Sequence, residues 1–250
     1  MIPGSLTIGF IHNGEVRSVF LRSFVELALW DLAHNQRLFS HDKFWLQGQY
    51  GSGGIVAGRN DIARAMLETS EAEWLLWIDT DMGFDGDLGD RLIDSADPIE
   101  RPVVGALCFG QKVDGGKPYG ARWFRTQPTV YRYVETDEEA GFSSVFDYPR
   151  DRLVECDATG SAAILIHRSV IAMMRDEFGD QWYTPIKHPE FGTVFSEDLS
   201  FCLRLKALEV PLFVDTSVKT THDKFGVFLD EDLYDREQEW RNGRADIVPE

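Results

Sequence analysis

The chain has 250 residues, 43% of them hydrophobic, a composition able to build the core of one α/β domain or two small ones. Its 42 acidic residues outnumber its 25 basic ones and leave a net charge of −17, so a nucleic-acid partner gripped through its phosphates is not expected. No apolar run approaches the roughly 20 residues that span a bilayer, and residues 1–5 lack the basic start of a secretory signal. Cys108, Cys156 and Cys202 are widely spaced in apolar runs and fit reduced core thiols, not a disulfide or zinc framework. A cytoplasmic protein is the expectation.

Residues 6–11 predict a first strand, closed by the turn-like His12-Asn13-Gly14. Residues 17–33 follow with helical spacing of Phe20, Phe24, Leu27 and Leu32. Phe44-Trp45-Leu46 suits a second strand, and the glycines from Gly51 to Gly54 a flexible loop. Asn60 or Asp61 is an expected helix cap, with Ala63, Met66 and Leu67 on the inner face of a helix ending near Glu68. Residues 74–78 predict a strand, 88–95 a helix and 102–109 another buried strand. This alternation predicts a Rossmann-like, mostly parallel sheet over about residues 1–110.

The second half changes character. Shorter strands are expected over residues 129–134, 153–156, 162–166 and 211–214, with helices over 169–178 and 197–208. Beyond Phe228 charge dominates, and residues 229–250 are expected to form an acidic tail or surface helix.

The most informative segment is Trp74-Leu75-Leu76-Trp77-Ile78-Asp79-Thr80-Asp81. A strand buried on both faces ends in two carboxylates, at the edge where open α/β sheets bind ligands. Paired carboxylates form a hard oxygen site suited to Mg²⁺ or Mn²⁺ and to the phosphates such ions bridge. Asp-x-Asp occurs three times, but Asp85/Asp87 follows Gly83 and suits the opening of a helix. Asp230/Asp232 lies in an acidic stretch expected to be solvated.

The order of Trp77-Ile78-Asp79-Thr80-Asp81, Ser196-Glu197-Asp198 and His222 resembles the GT-A glycosyltransferases, especially family-2-like members, over nearly the whole chain. Gly58-Arg59-Asn60-Asp61 also looks like a segment those enzymes set beside the nucleotide. The resemblance implies one domain over residues 1–228, a nucleotide-binding half joined to a mixed acceptor-side half. It also implies transfer of a sugar from a nucleotide-diphosphate donor, UDP-sugars above all, to a hydroxyl acceptor, with Mn²⁺ or Mg²⁺. Two rivals are a nucleotidyltransferase acting on a sugar phosphate and a noncatalytic nucleotide- or carbohydrate-binding module.

By the same resemblance, Asp79 would lie near the ribose or the metal, Asp81 would ligate the metal directly, and His222 would add a ligand. As in the inverting members, Asp198 would take the acceptor proton, supported by Glu197; in a retaining enzyme it would instead position the acceptor. The ordinary reading of that segment is a helix start, with Ser196 as cap and the acids complementing the dipole. Arg59 can offer its planar donors to the nucleotide, while Asn60 doubles as an ordinary N-cap. His12 either lines the base pocket or caps a turn, and Gly160 permits close backbone approach to the donor sugar or the acceptor. Trp123, Trp182 and Tyr183 are candidates to stack on a sugar ring, against the commoner role of aromatics in cores.

Overall fold

The structure is a computed structural model that describes residues 1–49, 53–114, 123–224 and 226–245. The first half alternates β1 (Ile2–His12), α1 (Ser18–Ala33), β2 (Trp45–Gln49), α2 (Gly54–Glu68), β3 (Ala72–Ile78), β4 (Met82–Gly83), α3 (Leu88–Ser95) and β5 (Val103–Leu107). Then come β6 (Phe109–Asp114), β7 (Trp123–Pro128), β8 (Tyr131–Glu135), β9 (Ala140–Ser144), β10 (Leu153–Cys156) and β11 (Ala163–His167). The chain continues with α4 (Arg168–Phe178), α5 (Glu197–Ala207), β12 (Leu212–Lys219), β13 (Thr221–Lys224), β14 (Val227–Leu229) and α6 (Glu231–Ala245).

Seven strands form the central sheet in the order β10-β12-β5-β11-β3-β1-β2. The pairs β1–β2, β1–β3 and β5–β12 are parallel, while β11 runs antiparallel to both β3 and β5, and β10 antiparallel to β12. The sheet is therefore mostly parallel, with one antiparallel strand at its centre. Alternation along β3 explains why both its faces are apolar. Trp74, Leu76 and Ile78 pack with Phe20 and Leu27 of α1 and Leu88 and Leu92 of α3. Leu75 and Trp77 face the opposite layer, with Met66 of α2, Met174 of α4 and Phe201 of α5.

Several boundaries depart from the sequence reading. Helix α2 starts at Gly54, whose φ of 63° turns the chain into the helix, so Asn60 lies inside the helix and is not its cap. Instead Asn60 Oδ1 accepts from the Tyr183 backbone N–H at 2.8 Å, an inward-facing amide being as good a cap for a loop as for a helix. The glycine loop expected before α2 falls partly on residues 50–52, outside the described residues. Strand β1 is longer than expected, and β6 pairs with β7 as a hairpin the periodicity did not announce.

Residues 231–245 are a docked helix and not a loose tail. Tyr234 of α6 is buried at 2% exposure, and Glu237 accepts from the Thr126 N–H and hydroxyl at 2.9 and 2.8 Å. The three cysteines are free and buried, as their apolar settings predicted. Among the described residues no helix is long and apolar enough to cross a membrane.

Leu76 lies at the centre of the sheet with no exposed surface. Leu76→Ala is expected to cost about 2–5 kcal/mol, the range for a leucine whose cavity cannot collapse. Urea denaturation followed by fluorescence would measure it, and a loss below about 1 kcal/mol would contradict this packing.

A polar cleft at the carboxyl edge of the sheet

The turn after β3 is held from three sides. Asp79 N–H donates to the Ala162 carbonyl beside β11, Thr80 Oγ1 to the Ile11 carbonyl of β1, and Arg17 N–H to the Thr80 carbonyl at the start of α1. Immediately afterwards β4 pairs antiparallel with β13, setting His222 opposite Met82. Asp223 N–H also donates to the Asp81 carbonyl at 2.8 Å. Gly83 makes this junction possible, since a Cβ there would lie 2.6 Å from Val19 in the first turn of α1. A two-residue strand thus brings a segment 140 positions away onto the aspartate turn.

A polar cleft of about 530 Å³ opens there, lined by Asn13, Arg17, Ser18, Asp79, Asp81 and Lys224, among others. A second cavity of about 440 Å³ lies beyond β4, against Glu26, Gly83, Lys219 and Glu231. It contains none of the site residues expected from sequence.

Asp81 has two cationic or potentially cationic neighbours on one oxygen. His222 Nε2 lies 3.2 Å and Lys224 Nζ 2.8 Å from Asp81 Oδ2. Burial works to raise the Asp81 pKa, but His222 and Lys224 outweigh it and take the carboxyl down to about 2. His222 is itself buried, and its Nδ1 is 2.9 Å from the Phe109 carbonyl. A carbonyl only accepts, so Nδ1 carries a proton and Nε2 is turned toward Asp81. Nε2 has no aligned hydrogen-bond partner among the described residues.

Asp79 is held differently. Its Oδ1 accepts from Arg59 Nη2 at 3.0 Å, and the same nitrogen is 3.6 Å from Asp198 Oδ1. Arg59 is therefore not an exposed arm reaching for a nucleotide: its side chain is 3% exposed. Its guanidinium carbon lies 5.1 Å from the Trp77 ring centroid and 5.4 Å from that of Tyr183. Burial raises the Asp79 pKa, Arg59 pulls against that rise, and the Asp198 and Asp81 charges reinforce it.

Asp198 and Glu197 occupy the first turn of α5, where the helix dipole favours carboxylates. Ser196 occupies the cap position but makes no capping side-chain bond. Asp198 Oδ1 is buried without a hydrogen-bond partner among the described residues. Burial, then the neighbouring Asp198 charge, raises Glu197. Gly160 is beside this carboxylate, and a Cβ there would stand 3.9 Å from Asp198 Oδ2.

Other expected contributors lie elsewhere. His12 Nδ1 accepts from the Gly14 N–H at 3.1 Å and so closes the turn after β1. Trp182 and Tyr183 are 0% and 1% exposed, built into the core where a sugar ring has no access. The side chain of Trp123 lies outside the description. Lys224 is the residue that the sequence reading left without a role. It lies two positions after His222, and alternation along β13 puts both on one face. Recognising residues 221–224 as a strand would have found it.

The Asp81–His222 end fits a divalent cation. Adjacent donors on an octahedral ion with bonds of about 2.1 Å are about 3 Å apart, and the observed separation is 3.2 Å. Among the described residues no group of three or more His, Cys, Asp and Glu side chains forms a metal shell. Further ligands would then come from phosphate oxygens and water, as Mg²⁺ sites commonly arrange.

No protein-family model matches the sequence, and no curated protein matches it. Among solved structures, A197 from STIV is similar with a TM-score of 0.50 and 18% identity, over 90% of each chain. GalNAc-T7, solved with UDP, GalNAc and Mn²⁺, is similar with a TM-score of 0.54 and 8% identity. That match covers 89% of this chain and 44% of GalNAc-T7, so the chain spans less than half of that protein. The mixed sheet and its similarity to GalNAc-T7 define a GT-A-like fold.

The lowered Asp81 pKa has a testable sign. Its stabilising contribution is complete above the unfolded value, near 3.8, and lost as pH falls through about 2. The stability gap between wild type and Asp81→Asn is expected to shrink by about 1–2 kcal/mol between about pH 5 and about pH 2.5. Urea titrations across that range would detect it; a gap independent of pH would contradict the His222 and Lys224 contacts.

Proposed function

We propose that this chain is a glycosyltransferase that moves a sugar from a nucleoside-diphosphate donor to a hydroxyl acceptor. The observation that carries this reading is Asp81, which lines a polar cleft at the carboxyl edge of a GT-A-like sheet with the buried His222 3.2 Å behind it. Asp81 and His222 would hold Mn²⁺ or Mg²⁺, with Asp79 near the ribose side of the same ion. When bound, the ion supplies Lewis-acid stabilisation to the departing diphosphate. UDP-sugars are the favoured donors, since the motif order resembles enzymes that use them.

Asp198 is the proposed general base. The acceptor oxygen bonds to the anomeric carbon as the bond from that carbon to the diphosphate breaks, and the hydroxyl proton passes to Asp198. Glu197 supports this group electrostatically. Arg59, buried between Asp79 and Asp198, acts as a positioning residue that ties the donor-side carboxylate to the acceptor-side one. Gly160 gives the acceptor close backbone access, and Asn60 anchors the Tyr183 segment beside Arg59. His12 ends β1 and closes its turn, so in this reading it has no direct role in donor binding.

Asp198→Asn is expected to lower sugar transfer by about 10²–10⁴-fold, the usual worth of a general base. UDP affinity in the presence of Mn²⁺ should change by less than about threefold, because in this reading Asp198 serves the acceptor and not the nucleotide. A nucleotide-release assay over a panel of UDP-, GDP- and CDP-sugars, with parallel calorimetry, makes the test. Undiminished transfer by the variant would overturn the base assignment. Pyrophosphate release from a nucleoside triphosphate would instead assign nucleotidyl transfer.

A further inference from the structure

The contacts of Asp81 contain a conflict. His222 Nε2 and Lys224 Nζ approach the same carboxylate oxygen, at 3.2 and 2.8 Å. An ion held by Asp81 and His222 would share the carboxylate oxygen that the ammonium already contacts. It would also bring two positive charges against a third. Lys224 and a divalent ion therefore compete at Asp81. Strand β13 sets this competition by placing His222 and Lys224 on one face, while Asp223 between them accepts from the Gly226 N–H at 2.8 Å and also lines the cleft.

The ammonium has an alternative position. Lys224 lines the polar cleft together with Arg17 and Ser18, and a third of its side chain is exposed there. A diphosphate in that cleft is an anion that a displaced ammonium can meet. The chain carries a net charge of −17, so cationic groups facing the cleft are needed to admit such a ligand.

We propose that Lys224 occupies the divalent-ion position in the ligand-free protein and moves onto the diphosphate when donor and ion bind. This rests on the nucleotide-sugar reading of the site. Its consequence is reciprocal coupling: diphosphate draws Lys224 off Asp81 and strengthens ion binding, and the ion releases Lys224 for the diphosphate. Asp81 and His222 alone then make a weak ion site, and the pair fills together with donor. Lys224 supplies a cation to the diphosphate and gates the metal ligand.

The test is Mn²⁺ binding, read from the free-ion paramagnetic resonance signal, for wild type, Lys224→Met and Lys224→Arg, with and without UDP. Without nucleotide, Lys224→Met is expected to bind Mn²⁺ about tenfold or more tightly than wild type, while Lys224→Arg stays weak. UDP should strengthen Mn²⁺ binding to wild type and do so less for Lys224→Met. Circular dichroism checks that each variant is folded. Equal or weaker nucleotide-free Mn²⁺ binding by folded Lys224→Met overturns the proposal. If wild type binds Mn²⁺ and UDP together but the variants behave identically, the role of Lys224 alone fails. Absence of Mn²⁺ binding in every sample, with sugar transfer persisting in chelator, removes the ion competition and leaves glycosyl transfer standing. Absence of binding and of transfer removes both.

Discussion

Two carboxylates at the end of a strand buried on both faces are the constraint around which the site is organised. An unpaired charge near a core is costly. Each aspartate is matched by its own cation. Asp79 receives Arg59, which is buried over Trp77 and Tyr183. Asp81 receives His222 and Lys224 from β13. Remove either set and the turn would have to protonate or open.

The sheet supplies the means. Antiparallel β11 between β3 and β5 allows the Ala162 carbonyl to pin Asp79, while β12 continues past β5 and delivers β13 to β4. In the proposed reading, Asp81 would serve the ion and phosphates and Asp198 the acceptor proton. Arg59 lies between Asp79, two residues before Asp81, and Asp198. Transfer with inversion would use this division, since leaving group and nucleophile then lie on opposite sides of the anomeric carbon.

Much of this was legible in the sequence because burial writes a strong pattern. The apolar run ending at Asp79 identified β3, and its combination with Ser196-Glu197-Asp198 and His222 pointed to a GT-A-like fold. The residues of those motifs do meet, through Arg59 on one side and β13 on the other. Other features left little signal. Helix α2 begins at Gly54 through a positive φ, which no cap residue advertises. The β6–β7 hairpin lies on the mixed half, where exposure weakens alternation. Arg59 is a charged residue in the core, held there by two distant carboxylates and two rings, and no local pattern encodes that. Lys224 escaped because a four-residue strand is too short to show its period.

The central claim is that a divalent ion at Asp81 and His222 sits against the diphosphate of a bound nucleotide. Paramagnetic broadening of the ³¹P resonances of UDP by substoichiometric Mn²⁺ tests it most directly. The account predicts strong broadening of both phosphates in the presence of the wild-type protein, beyond that of UDP and Mn²⁺ alone. That increment should be lost in a folded Asp81→Asn/His222→Ala double variant. An increment that survives in the double variant, or that never appears, would place the ion elsewhere and contradict the account.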